Sequence, residues 1–128
     1  MRDRHPPLIR LVSVGGTGDA YLICALAPEV TRQYGPPVTI VVPARYVAIP
    51  QMFGHGFELA DEEIRIAAAD ERLKREYDNY VAPGRTFYAH PCFTRNQRLD
   101  ELTVLPRSPS QADMYRALLG LPADAPLA

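Results

Sequence analysis

The feature that most constrains this chain is the stretch LIRLVSVGGTGDAYLICALAPEV at 8–30, followed by VTIVV at 38–42. Leu8–Val14 is apolar and β-branched, carries a single arginine and stops at GGTG, so it reads as a buried strand. From Ala20 to Tyr34, apolar residues recur at 22, 23, 26, 27 and 30, which is one face of a helix. Pro28 is expected to kink or split that helix, and YGPP ends it. Val38–Val42 reads as a second buried strand. A strand, a helix and a strand within about 35 residues form a βαβ unit, with parallel strands and a right-handed crossover. The expected fold is α/β: a three-layer Rossmann-like domain with a mainly parallel sheet of about four or five strands, Leu8–Val14 central.

The later elements are shorter. Pro43–Met52 predicts a short helix, and Phe57–Leu59 a short third strand. Asp61–Tyr80 is rich in Glu, Ala, Arg and Lys and predicts a surface helix with an acidic N-terminus. Thr86–Ala89 reads as a further strand leading into HPCF, whereas 95–105 has no clear pattern. SPSQADMYRALLGLP predicts a closing helix capped by Ser108 or Ser110, with Met114, Leu118 and Leu119 as its apolar face and Gly120 as its C-cap. The domain is thus assigned to 1–120 and a linker-like tail to 121–128.

A length of 128 residues fits one domain with one core, and 47% hydrophobic residues with a net charge of −1 place the chain among soluble globular proteins. A near-zero charge gives no footprint for nucleic acid or an anionic membrane. The local basic clusters, Arg2–Arg10 and Arg95–Arg98, read as solvated arginines. No apolar run approaches the ~20 residues of a membrane span, and MRDRHPP lacks the apolar core of a secretory signal. Cys24 and Cys92 stand far apart with no C-x-x-C spacing, so reduced, buried thiols in a cytoplasmic protein are expected. The three histidines have no carboxylates at ligand spacing, so neither a metal site nor a cofactor is expected.

The glycine loop should lie at the carboxyl end of the first strand, where open α/β sheets bind ligands. A phosphate loop needs a Gly-Lys pair, and no lysine follows Gly18. A dinucleotide fingerprint would put its third small residue at Tyr21, and VTIVVPARY supplies no acidic ribose partner. The remaining reading is a turn, made by Gly15, Gly16 and Gly18 with at least one at positive φ, that sets Asp19 at the start of the helix. There Asp19 is either an N-cap or a base aimed into a cleft. His90 should sit at the same sheet edge, where it either orients a ligand or bonds to loop backbone. Arg45 and Tyr46, just past the second strand, can line the same cleft, and arginine suits phosphates or carboxylates. His55, between two glycines, reads as an exposed loop residue. Ser13 and Thr17 have no histidine near in sequence to form a hydrolase triad.

With VTIVVPARYVAIPQM, the opening stretch resembles the N-terminal domain of family-nine glycosyltransferases, the heptosyltransferase group, which has a strand ending in a GD turn. MYRALLGLPADAPL resembles the segment leading to that family's second domain, whereas 55–105 matches only in its order of elements. GGTG also resembles the loop of the lipid-linked N-acetylglucosaminyltransferase of peptidoglycan synthesis, with Ala20 in place of its histidine. The resemblance implies half of a GT-B fold that binds the sugar acceptor in the making of a bacterial cell-surface glycan. It implies Asp19 as catalytic base of an inverting transfer without metal, and Gly16, Thr17, Gly18, Arg45 and His90 as substrate-binding residues. It also implies a nucleotide-sugar donor held mostly by a further domain or partner chain, which 128 residues cannot contain. Without that domain the half is expected to be inactive. The other reading is a stand-alone Rossmann-like binding or assembly module without catalysis, with exposed apolar surface that favours a homodimer.

Overall fold

The computed structural model describes residues 8–70, 79–94, 96–103 and 110–128. Four strands form one sheet: β1 (Ile9–Ser13), β2 (Val38–Val42), β3 (Phe57–Leu59) and β4 (Thr86–Ala89). The sheet is all-parallel in the order β3-β2-β1-β4, so β1 is interior, as its apolar sequence requires. Leu11 lies level with Ile40 and Phe87, and Val12 with Val41 and Tyr88.

Alternation along the strands divides the core into two layers. Ile9, Leu11, Ile40, Val42 and Phe87 face a layer covered by helices α1 (Thr17–Tyr34) and α5 (Gln111–Leu118). Val12, Val41 and Tyr88 face the other layer, covered by Ile64 of α3 (Glu62–Ala69). A 3₁₀ turn (Ala44–Tyr46) and the short α2 (Ala48–Phe53) follow β2, and α4 (Gln97–Thr103) precedes α5. The result is the Rossmann-like three-layer architecture.

Helix α1 begins at Thr17 rather than Ala20 and runs 18 residues through Pro28 without splitting. Proline has no N–H, so the Cys24 carbonyl one turn earlier loses its helical donor. His55 replaces it: its Nε2 lies 2.8 Å from the Cys24 oxygen, and because a carbonyl can only accept, Nε2 carries the proton. His55 is therefore a half-buried anchor, stacked on Phe53, and not an exposed loop residue.

The helix expected over 61–80 is corrected. Asp61 caps it, its Oδ1 accepting the Ile64 N–H at 2.8 Å, but it ends at Ala69, and Asp70 is already extended. Positions 71–78 lie outside the described residues, and Asn79 and Tyr80 are not helical. Buried Asn79 instead pairs with the edge strand. Its Oδ1 accepts the Tyr88 N–H at 3.0 Å and its Nδ2 donates to the Tyr88 carbonyl at 2.9 Å, closing β4 as another strand would.

Ser110 caps α5, accepting the Asp113 N–H at 3.1 Å, while the alternative, Ser108, is outside the described residues. Gly120, at φ 71°, turns the chain out of that helix. Residues 121–128 have no regular structure but lie against the domain: Leu121 and Ala125 are buried, and the Ala128 N–H donates to the Ala25 carbonyl at 2.9 Å. Of the basic clusters, Arg10 forms a half-buried two-pronged pair with Glu58, at 2.9 and 2.8 Å, and Arg98 donates to the Leu121 carbonyl. Arg95, Arg2 and Arg4 are outside the described residues. Cys24 is buried as expected, whereas Cys92 is exposed in the turn after β4. Among the described residues, no helix is long and apolar enough to cross a membrane.

Candidate functional site

The strand order sets where a site can form. From β1 the chain steps outward through β2 to β3, then returns to place β4 on the other side of β1. The turns after β1 and β4 therefore lie side by side at the carboxyl edge, where open α/β sheets place ligands, and both lead into helices that cover the same layer. Val14–Gly16 forms the turn after β1 and His90–Thr94 the turn after β4.

Asp19 is the carboxylate at this edge. It is not the first residue of the helix: Gly16 is the N-cap, and Asp19 stands three positions into α1. Its side chain folds back over the turn, Oδ2 accepting the Gly16 N–H at 2.9 Å. Its Oδ1 accepts the Tyr115 hydroxyl at 2.6 Å, from α5 and 96 positions away in sequence. Tyr115 is only 1% exposed, and burial, reinforced by the Asp19 carboxylate, holds its phenol far above the usual range, so it is a permanent donor. Each carboxylate oxygen has a second acceptor position, so both contacts leave capacity for a ligand proton.

The glycines serve this arrangement differently from expectation. None of Gly15, Gly16 and Gly18 has positive φ, and Gly16 is extended at φ −89°. The constraint is space. A Cβ on Gly15 would lie 1.9 Å from Asp19 Oδ2 and 2.4 Å from its Cγ. On Gly18 a Cβ would meet nothing within 4 Å. Gly15 is thus the residue that admits the Asp19 side chain, and Gly16, Thr17 and Gly18 form an exposed lip.

Tyr46 rises beside this lip, its hydroxyl 4.0 Å from where a Gly16 Cβ would be. The Arg45 guanidinium lies over the Tyr46 ring at 4.8 Å from its centre and pulls the phenol below its ordinary value. On the turn after β4, His90 Nδ1 accepts the Cys92 N–H at 3.1 Å, the backbone-bonded arrangement weighed from sequence. Tyr21, too bulky for a dinucleotide fingerprint, points outward from α1 with its ring edge-on to Phe53.

The structure thus places Gly16, Thr17, Gly18, Asp19 and Arg45 around the β1 turn and His90 on the turn after β4. Tyr115 is the member that sequence reasoning missed. Its signal was present: Tyr115 and Leu118 lie on the buried side of α5, and a tyrosine there needs an acceptor for its hydroxyl.

No protein-family model matches this chain, and no match was found among curated proteins or solved structures. What is defined is a class: an α/β domain with a four-stranded parallel sheet and one oriented carboxylate at its carboxyl edge.

Proposed function

We propose that this chain is the acceptor-binding half of an inverting glycosyltransferase that uses a nucleotide-activated sugar. The observation that carries the reading is Asp19: a carboxylate at the carboxyl edge of a parallel sheet, oriented by donors from two elements and given room by Gly15. In the proposed step Asp19 accepts the proton of an acceptor hydroxyl while that oxygen attacks the anomeric carbon. The bond to the nucleotide breaks with its electron pair, and the sugar configuration inverts. A positioned base contributes about 10²–10⁴-fold to such a step. Thr17 and Gly18 border the acceptor, Arg45 and His90 flank it, and the donor nucleotide is held by a further domain or partner chain.

A second reading keeps the site without the chemistry. Both Asp19 oxygens already accept hydrogen bonds, one closing the start of α1 and one tying α1 to α5, which favours a binding or assembly module in which Asp19 is structural.

Amide NMR of the ¹⁵N-labelled chain separates the readings. Hexoses, hexose phosphates and the nucleotide sugars UDP-glucose, ADP-glucose and GDP-mannose are titrated in turn. The transferase reading expects a sugar or sugar phosphate to move the amides of 15–19 and 45, with nucleotide sugars adding nothing through their nucleotide. Nucleotide-driven shifts at 15–19, or no shift there from any sugar, overturn it.

A further inference from the structure

A recess lies on the opposite face of the sheet, and of the residues the transferase reading uses only Arg45 lines it. It is a pocket of about 230 Å³ where the carboxyl ends of β1 and β2 meet α3. Val12, Val14, Ile64 and Ala68 supply apolar wall, and Arg45 and Arg65 are among its lining residues. The end of α3 runs Ala67-Ala68-Ala69, and these short side chains leave the recess open where leucine would close it.

The other described arginines are engaged away from this recess. Arg10 pairs with Glu58, Arg32 with Glu29 and Arg116 with Asp113. Arg85 covers the Tyr80 ring, and Arg98 donates to the Leu121 carbonyl. Among the described residues, neither Arg45 nor Arg65 meets a carboxylate within ion-pair distance. Asp61, one turn before Arg65, is engaged with the Ile64 N–H as helix cap. Arg45 is steadied at the rim by the Tyr46 ring. No acidic residue is among the described lining residues.

We infer that this pocket binds a small organic anion, with a carboxylate or phosphate head between Arg45 and Arg65 and an apolar body against Val12, Val14, Ile64 and Ala68. Guanidinium forks match both kinds of head, and the shallow alanine-lined wall suits a flat body of ring size. The site needs neither Asp19 nor a second domain; it shares Arg45 with the proposed transfer, and Arg65 and Ala68 test it separately.

The test uses the full chain, ¹³C-methyl and ¹⁵N labelled, titrated with benzoate, phenyl phosphate, inorganic phosphate and benzyl alcohol. Benzoate, phenyl phosphate or both should bind with Kd of about 1 mM or lower, moving the Ile64 and Val14 methyls and the Ala68 amide. Which of the two binds tighter decides between carboxylate and phosphate. Inorganic phosphate and neutral benzyl alcohol should each bind at least about threefold more weakly. Arg65→Glu, at an exposed position, should weaken binding of the anion by about threefold or more without unfolding the chain. Ala68→Leu should fill the pocket and abolish binding, with Ala69→Leu as a substitute if the first variant loses its native amide spectrum. The inference is overturned if benzyl alcohol binds as well as the anions, if Arg65→Glu has no effect, or if neither anion shifts these signals by about 10 mM. Shifts confined to 15–19 also overturn it, since they place the anion at the Asp19 turn.

Discussion

Adding one methyl group to Gly15 should damage the domain more than the same change at Gly16 or Gly18. Backbone conformation does not forbid alanine at 15, because its φ is not positive. On that ground alone Gly15→Ala would stabilise by ~0.4–1 kcal/mol through the unfolded chain. Against this, the new Cβ would sit 1.9 Å from Asp19 Oδ2 and 2.4 Å from Cγ, so the whole carboxylate must leave. The Gly16 N–H, at an exposed position, can turn to water. The Tyr115 hydroxyl, on a residue 1% exposed, has far less access to water and loses its acceptor. A buried donor without a partner costs about 1–3 kcal/mol. The net loss is about 1–2 kcal/mol, and with ~2.1 cal/mol/K of unfolding entropy per residue this chain should melt roughly 4–8 °C lower.

Thermal unfolding followed by circular dichroism measures this directly. Gly16→Ala should cost less, about 0.5–1 kcal/mol, the margin by which glycine is the better N-cap, with no clash added. Gly18→Ala, within the first turn of α1 and with open space around it, should gain up to about 0.5–1 kcal/mol. The decisive arm repeats Gly15→Ala in an Asp19→Gly background, which removes the Asp19 Cβ, 2.9 Å from the new methyl, as well as the carboxylate. With no side chain to collide with, the added methyl should then be neutral or slightly stabilising. If Gly15→Ala costs the same in both backgrounds, or no more than Gly16→Ala, the steric account of the loop is refuted.

The βαβ unit was legible because its signals are local: β-branched runs bounded by glycine and proline, with one helical stripe between them. The end of α3 was not, because AAADE continues a helix-favouring composition past the point where the backbone leaves the helix at Asp70. The glycine loop shows a subtler failure. Glycine-rich turns suggest positive φ, but here the requirement was room for a side chain four positions on, held by a tyrosine 96 positions away. Half of the His55 contact was readable, since any proline inside a helix orphans the carbonyl four residues earlier. Which residue answers it depends on how α2 turns the chain back onto α1, and that is tertiary structure. Asp19 itself was placed from sequence at the correct sheet edge, but the helix starts two residues before it, so its capping role differs.

Three further predictions test the structure. His55→Ala should cost ~1–2 kcal/mol by leaving the Cys24 carbonyl unpaired, and in a Pro28→Ala background, where residue 28 supplies an N–H, the cost should fall below about 0.5 kcal/mol; equal costs in chemical denaturation would refute the pairing. Asp19→Asn keeps the size of the side chain but has only one acceptor oxygen for the two donors it meets, so it should lose ~1 kcal/mol, or about 4 °C, and an unchanged melting temperature would show that one of the two contacts is idle. The last concerns alkaline pH. Burial pushes the Cys24 thiol from an ordinary value of 9.0 up to about 12. Between those values the native state holds a proton that the unfolded state has released, so the contribution is complete below pH 9 and is lost as pH rises toward about 12. Tyr34 and Tyr115, also raised by burial, act in the same direction above their ordinary value of 10.0, whereas Tyr46 is lowered and acts in the opposite direction. Comparison with Cys24→Ala isolates the thiol, because every tyrosine is common to both proteins. Urea midpoints measured from pH 8 to 11 should fall more steeply for the native sequence than for Cys24→Ala. A thiol-reactive dye at pH 8 should label exposed Cys92 at once and Cys24 only as the protein unfolds. Parallel pH profiles for the two proteins, or equal labelling of both thiols while folded, would show that the core around Cys24 admits the thiolate.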